Sequence, residues 1–300
     1  MEKYIVTGAS GFIGKSLIKK LAEDKEKQIF AVVRNEQSYV SQIAKFENVK
    51  IFYCALDNIE EVEAMFKGEK IKAFIHLAWE GSAGAKRADA DIQMKDAISA
   101  VKAYETAEKL SCEKFMCAGT ISERVLDQLE ELENVSQNMV YALAKQTTYN
   151  LLNVKSKTFK TKLVWMQFSN VFGPGNTSGN LISYTVKEIN EGRVPEYGSG
   201  MQPYNFIYID DLINAILCLA DGNLRKQKYF LGSGEVRKLK DYLLAIPKAL
   251  GKDVALGIGK RADDGIYYKE EWFDIADLKD DTDYESKVSF EEGIIRNFAD

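Results

Sequence analysis

The chain has 300 residues, 46% hydrophobic and 28% charged, enough apolar material for a full globular core. A net charge of −5 without a dense basic run disfavours a nucleic-acid or anionic-membrane partner. Apolar runs such as residues 215–220 are too short to span a bilayer. A zinc site built on histidine or a Ser–His–Asp triad would have to use the single histidine, His76.

Residues 3–7 are a β-branched and aromatic run that reads as a buried strand. The chain enters this strand at once, so no signal peptide and a cytoplasmic location are expected. Gly8, Gly11 and Gly14 follow, and helical spacing begins with Leu17, Ile18 and Leu21. Strand, glycine turn and helix in that order form the setting of a dinucleotide fingerprint. Gly8 permits the tight turn, Gly11 lets the backbone approach a pyrophosphate, and Gly14 lets the helix pack on the strand. The helix N-terminus offers free N–H groups to the anion. The spacing is G-x-x-G-x-x-G, which an ordinary βα turn also accommodates, so the later motifs decide.

Further strands are expected at 28–33, 49–53, 73–78, 114–118 and 161–168. Helices are expected near 14–23, 38–46, 59–66, 91–110 and 140–155. This alternation predicts an α/β fold, a Rossmann-like doubly wound parallel sheet. From residue 172 the texture changes: residues 173–180 are turn formers, and the later segments are shorter, with an acidic stretch at 280–285. The expected organisation is a dinucleotide-binding domain over 1–168 and a smaller, interleaved substrate-binding subdomain over 169–300. One later element, near Ile207 or residues 229–231, should return to the sheet. Cys54, Cys112, Cys117 and Cys218 are scattered beside apolar segments and read as small buried thiols, not disulfides or metal ligands.

TGASGFIG, residues 7–14, resembles the fingerprint of the extended short-chain dehydrogenase/reductase superfamily, which holds nucleotide-sugar epimerases, dehydratases and reductases. The resemblance implies a nicotinamide dinucleotide held by Gly8, Ser10, Gly11, Phe12, Ile13 and Gly14. The second strand ends in AVVRNE, residues 31–36, with no carboxylate before Glu36. A guanidinium pairs bidentately with a 2′-phosphate that a carboxylate would repel, so Arg34 argues for NADP(H) over NAD(H). The plainer alternative is a solvated strand-end arginine. Asp57 matches an acidic residue that bonds the adenine amino group in the family. It equally suits an N-cap for a helix starting near Ile59.

IHLAWEG, residues 75–81, is similar to the family's H-x-A-A segment, which implies that Leu77, Ala78 and Trp79 line the cofactor. His76 reads as a core histidine at a strand end, and Trp79 stands where a small residue is usual. A long helix follows from about residue 87 to 110. It carries Asp96 where the family has an asparagine that ties the helix near the active site.

The chemistry is expected at two stretches. In FMCAGTISE, residues 115–123, a strand runs into a turn at Thr120, which matches the family's Ser/Thr position and would bond the substrate oxygen. In YALAK, residues 141–145, Tyr141 and Lys145 share a helix face. A phenol titrating near 10 needs help from nearby positive charge to act at neutral pH. Lys145 and a cationic nicotinamide would give it, and Lys145 would also bond the cofactor ribose. Thr120, Tyr141 and Lys145 together resemble the family's catalytic set.

FSNVFGPG at 168–175 and NFIYIDDL at 205–212 are similar to further family segments, as is VSFEEGI at 288–294. They imply that Asn170 meets the substrate diphosphate. Tyr204 replaces the arginine that usually grips that diphosphate, and Arg261 would supply the charge. Ile121 and Ser122 follow Thr120 where dehydratases carry Asp-Glu, which argues against a 4,6-dehydratase; the role of Glu123 is open. The resemblance thus implies an NADPH-dependent reductase of a nucleotide-diphosphate-linked keto-sugar, acting at C4 and serving surface-sugar biosynthesis. The alternatives are an NAD-dependent 4-epimerase and a non-catalytic NADP(H)-binding redox sensor. By fold analogy the helices near 87–110 and 140–155 would pair across a homodimer.

Overall fold

The computed structural model describes residues 1–35, 40–131, 135–176, 179–263 and 265–298. The first half alternates without interruption: Glu2–Thr7 (β1), Phe12–Ala22 (α1), Lys27–Val33 (β2), Val40–Ala44 (α2) and Val49–Tyr53 (β3). A 3₁₀ turn at Leu56–Glu61 runs into Val62–Met65 (α3), followed by Ala73–His76 (β4), Ala90–Lys109 (α4) and Lys114–Thr120 (β5). Met139–Lys155 (α5) and Lys162–Phe168 (β6) complete the alternation. The later elements are Asn170–Phe172 (β7), Leu181–Asn190 (α6), Pro203–Tyr204 (β8), Phe206–Tyr208 (β9) and Ile209–Asp221 (α7). Lys228–Leu231 (β10), Arg237–Lys238 (β11), Leu239–Ala249 (α8), Ala276–Asp281 (α9) and Phe290–Phe298 (α10) close the chain.

Seven parallel strands form the central sheet in the order β3-β2-β1-β4-β5-β6-β10. This is the Rossmann-like fold the alternation predicts. Strand order reverses between β1 and β4, and open α/β sheets bind their ligands in the crevice outside the carboxyl ends at such a point. Successive side chains of β1 point to opposite faces. Tyr4 and Val6 pack with Leu17 and Ile18 of α1 and with Leu212 and Ile216 of α7. Ile5 packs on the other face, where α4 presents Ala100, Ala103 and Ala107 and α5 presents Ala144 and Leu152. The alanines let α4 and α5 lie close to the sheet and to one another.

The first of these apolar faces continues past the sheet to Phe172, Phe206, Phe290 and Ile294. Buried Asp211 ties α7 to the segment before α10, accepting the N–H groups of Lys287 (3.1 Å) and Val288 (2.9 Å). On the sheet's amino side, buried Lys114 donates to the carbonyls of Leu219, Ala220 and Gly222 at 2.7–2.9 Å, a cation on the orphan carbonyls ending α7.

Residues 229–231 return to the sheet as β10 against β6, whereas Ile207 lies in β9, which pairs with β7 in a separate two-stranded ladder. The helix expected near 59–66 is shorter, because Asn58 sits at φ −113°, ψ 25° and the chain tightens into the 3₁₀ turn before it. The helix expected near 38–46 is seen as Val40–Ala44; Glu36 and Ser38 lie outside the described residues. The long helix expected from about 87 begins at Ala90, since the Asp89 carboxylate accepts the Ile92 N–H at 3.0 Å and starts it there. Cys54, Cys112 and Cys117 are buried free thiols, as expected, whereas Cys218 on α7 is a free thiol that is only partly buried. Among the described residues no helix is long and apolar enough to cross a membrane.

Candidate active site

The glycine turn sits at the switch point. Gly8 has φ +68°, and a Cβ there would lie 2.7 Å from the Ala78 nitrogen and 2.8 Å from the Leu77 carbonyl carbon. The turn after β1 and the segment after β4 are therefore in backbone contact, which only glycine permits. Gly11 N-caps α1 with no side-chain cap, and a Cβ on Gly14 would collide with the Gly8 carbonyl. No acidic residue lies in the first turn of α1. Uncapped N–H groups, the helix dipole and a backbone cradle free of side chains fit a dinucleotide pyrophosphate. Ser10, Phe12 and Ile13 lie with these glycines in the same turn and the first turn of α1. His76 is buried beside the glycine turn with Nδ1 2.9 Å from the Thr7 hydroxyl. Burial, with Lys145 adding to it, pushes its imidazole down to about 3, so it is neutral.

The loop after β4 forms one wall. Two buried side chains of α4 hold it. Gln93 donates to the carbonyls of Gly81 (2.7 Å) and Lys86 (2.9 Å) and accepts the Trp79 indole N–H (2.9 Å). Asp96 accepts the Gly81 N–H at 2.9 Å. The aspartate thus serves as an acceptor, and the tie between α4 and the loop does not need an amide donor.

Beyond the loop's tip, Arg34 at the end of β2 lies 3.6 Å from Glu80, which also pairs with Lys86. Asp57 pairs with Lys95 of α4 at 2.7 Å. The N-cap reading of Asp57 is overturned. Ala55 precedes the 3₁₀ turn, with no side-chain cap, and Asp57 lies within its first turn.

The centre lies where β5 ends. Thr120 caps the following 3₁₀ helix, its hydroxyl accepting the Ser122 N–H at 3.3 Å. Its own N–H donates to Glu123 Oε1 at 2.7 Å. Buried Glu123 also accepts from Trp165 Nε1 (3.0 Å) and Gln167 Nε2 (2.8 Å), with Lys228 at 3.9 Å. Burial raises its carboxyl above the usual range, against these partners.

Tyr141 and Lys145 come from α5 and are buried. Lys145 Nζ donates to the Ala118 carbonyl at 2.7 Å and lies 3.5 Å from the centre of the Trp79 ring. The Tyr141 ring centre is farther from that ammonium, at 5.7 Å. Burial pulls the Lys145 ammonium down to about 8. Burial pushes the Tyr141 phenol up to about 12, while Arg87 and the Thr120 hydroxyl pull it the other way. The structure therefore brings Thr120, Tyr141, Lys145, Trp79 and the Leu77–Ala78 backbone to one place.

Asn170 of β7 and Tyr204 of β8 meet: the Tyr204 hydroxyl donates to Asn170 Oδ1 at 3.0 Å. Buried Asn205 holds both strands there, its carbonyl accepting Ser169 Oγ (2.8 Å) and Asn170 Nδ2 (3.1 Å). Arg261 lies against α6, donating to the Tyr184 hydroxyl at 2.9 Å.

A model of the NAD dependent epimerase/dehydratase family matches residues 4–232. The chain belongs to this family. As a member of it, the protein is an NAD(P)-dependent enzyme of the oxidoreductase/epimerase type. Similar characterised proteins include a dTDP-4-dehydro-6-deoxyglucose reductase of Escherichia coli, 25% identical over 266 residues, 84% of this chain and 83% of that one. Another is a CDP-abequose synthase of Salmonella typhimurium, 26% identical over 258 residues, 83% and 81% of the two chains. Among solved structures, a UDP-glucose 4-epimerase of Thermotoga maritima superposes with a TM-score of 0.80 at 20% identity, covering 98% of this chain and 97% of that one. That likeness shows the fold.

Three groups of this epimerase/dehydratase-family site carried no assigned role in the sequence. Gln93 has no motif around it, and only its burial shows that it clamps Trp79. Glu123 is visible as a carboxylate near Thr120, but its inward direction depends on the capping turn. Arg87 falls at the expected start of the long helix but lies in a 3₁₀ turn before it, with its guanidinium carbon 4.2 Å from the Tyr141 ring centre.

Proposed function

We propose that the protein is an NADPH-dependent reductase of a nucleotide-diphosphate-linked keto-sugar, acting on the C4 carbonyl. The observation that carries this reading is the buried Tyr141 phenol beside Thr120, with Lys145 behind it, at the carboxyl edge where the glycine turn opens. The nicotinamide, when bound, supplies the hydride. Tyr141 gives its proton to the sugar oxygen as that oxygen becomes an alcohol. Thr120 bonds the same oxygen and fixes its direction, and Glu123 fixes Thr120 through its backbone N–H. Lys145 supplies positive charge near the phenol and a donor for the cofactor ribose. Leu77, Ala78 and Trp79 form the wall against which the cofactor lies, with Asp57 near the adenine. Asn170 and Tyr204 face the substrate diphosphate, and Arg261, in the loop after α8 and beside Tyr184 of α6, contributes charge. The name of the Escherichia coli relative supports a reductive reaction on a nucleotide-linked deoxy sugar, and that of the Salmonella relative a CDP-linked sugar.

Arg34 supports NADPH, through its fit to a 2′-phosphate. One observation favours a second reading, an NAD-dependent 4-epimerase: Arg34 is already paired with Glu80, which places a carboxylate at the end of β2 after all. Exposed apolar side chains at Met94 and Ile98 of α4 and Leu143 and Leu151 of α5 support a homodimer through these helices, to be read from the mass in solution.

The test is NADPH oxidation with a panel of nucleotide-linked 4-keto-6-deoxy sugars, with NADH alongside. Stoichiometric loss of NADPH with one sugar establishes the reductase. Tightly held NAD, released only on denaturation, together with inversion of a sugar at C4, replaces it with the epimerase.

A further inference from the structure

Arg87 stands out among the charged groups around the site. Its guanidinium carbon is 4.2 Å from the Tyr141 ring centre, closer than the Lys145 ammonium at 5.7 Å. Among the described residues it pairs with no carboxylate; one arm donates to the Ser82 carbonyl at 3.3 Å. Its 3₁₀ turn is held on both sides, by Gln93 on the Lys86 carbonyl and by the Asp89 cap that starts α4. Lys145 holds the Ala118 carbonyl and lies over the face of Trp79, so its charge reaches Tyr141 from farther away. Trp79 stands edge-on to Tyr141, with ring centres 6.2 Å apart.

We propose that Arg87 is the positioning cation of Tyr141, stacked on its ring so that the phenolate formed during proton transfer is stabilised from the loop side. This rests on Tyr141 being the proton donor. In that step the Tyr141 O–H bond breaks and an O–H bond forms on the sugar oxygen, and the negative charge left behind spreads into the ring. A guanidinium over the face gains more attraction from a phenolate than from a neutral phenol. The other groups acting on Tyr141 are Thr120, which favours the phenolate, and Glu123 and Cys117, which oppose it. Lys145 adds a cation from α5. Arg87 offsets part of the burial penalty that this cluster imposes.

The experiment replaces the tyrosines with 3-fluorotyrosine, whose more acidic phenol titrates in a milder range, and follows each by fluorine NMR in the whole protein. Tyr141→Phe assigns the resonance. The Tyr141 midpoint should rise by about 0.5–1 pH unit in Arg87→Met and return most of the way in Arg87→Lys. Arg87 is half-exposed, so both variants should keep the fold. An unchanged midpoint in Arg87→Met overturns the proposal, whatever the enzyme's substrate. In turnover, reduction needs the protonated phenol, so the basic limb of the rate profile should move up by the same amount. A fixed limb, with Tyr141→Phe inactive, overturns Arg87's role and leaves Tyr141 as the donor. Normal turnover by Tyr141→Phe removes the donor assignment itself.

Discussion

The Glu123 carboxylate accepts the backbone N–H of Thr120 at 2.7 Å and, with its other oxygen, the side-chain amide of Gln167 at 2.8 Å. A buried acid therefore sets the turn that aims the Thr120 hydroxyl, while Lys228 balances its charge from β10. Removing the carboxylate leaves the Trp165 and Gln167 donors and the Lys228 ammonium without their acceptor. Glu123→Ala should lose about 2–4 kcal/mol of unfolding free energy by denaturant titration. It should also lower kcat, with Glu123→Gln intermediate in both.

Acid should weaken the protein through its one histidine. The folded imidazole, pushed down to about 3, lies below the ordinary value of 6.5. Its contribution is therefore complete above pH 6.5 and is lost as pH falls toward 3. At pH 5 the loss should be about 2 kcal/mol relative to pH 7. His76→Gln should be less stable at pH 7 and should fall less between pH 7 and pH 5. Parallel curves for the two proteins would contradict this.

Gly8→Ala should be severely destabilising and should remove cofactor binding. The added Cβ meets the Ala78 backbone at a positive φ, and neither the turn nor β4 can retreat without opening the sheet at its switch point. Thermal unfolding and NADPH fluorescence check it. Gly68→Ala, also at positive φ but with open space around it, is the control that carries strain without the clash.

Cofactor choice should follow the Arg34–Glu80 pair. Arg34→Glu should weaken NADPH more than NADH, whereas Glu80→Gln frees the guanidinium and should tighten NADPH selectively. A bidentate phosphate contact supports a change of about tenfold or more in the NADPH/NADH affinity ratio. Equal effects on both cofactors would contradict the 2′-phosphate contact.

The sheet was legible because parallel strands buried on both faces read as continuous apolar runs, and because residues 3–14 carry strand, glycine turn and helix in order. Tyr141 and Lys145 were legible for the same reason: their meaning lies in spacing along one helix. What depends on distant segments meeting was not legible. Asp57 looks like a cap, but its partner is Lys95 of α4. Arg34 looks unopposed, but Glu80 reaches it from the loop after β4. Whether Ile207 or residues 229–231 would join the sheet could not be read from two short apolar runs of similar character; pairing with β6 decides it.

The most direct test of the central claim supplies NADPH carrying deuterium at the transferable position with a nucleotide-linked 4-keto sugar, and reads the product by mass and NMR. One deuterium at C4 per NADPH consumed, abolished in Tyr141→Phe with cofactor binding retained, is the predicted result. Inversion of a sugar at C4 with no net consumption of cofactor would contradict it and make the enzyme an epimerase.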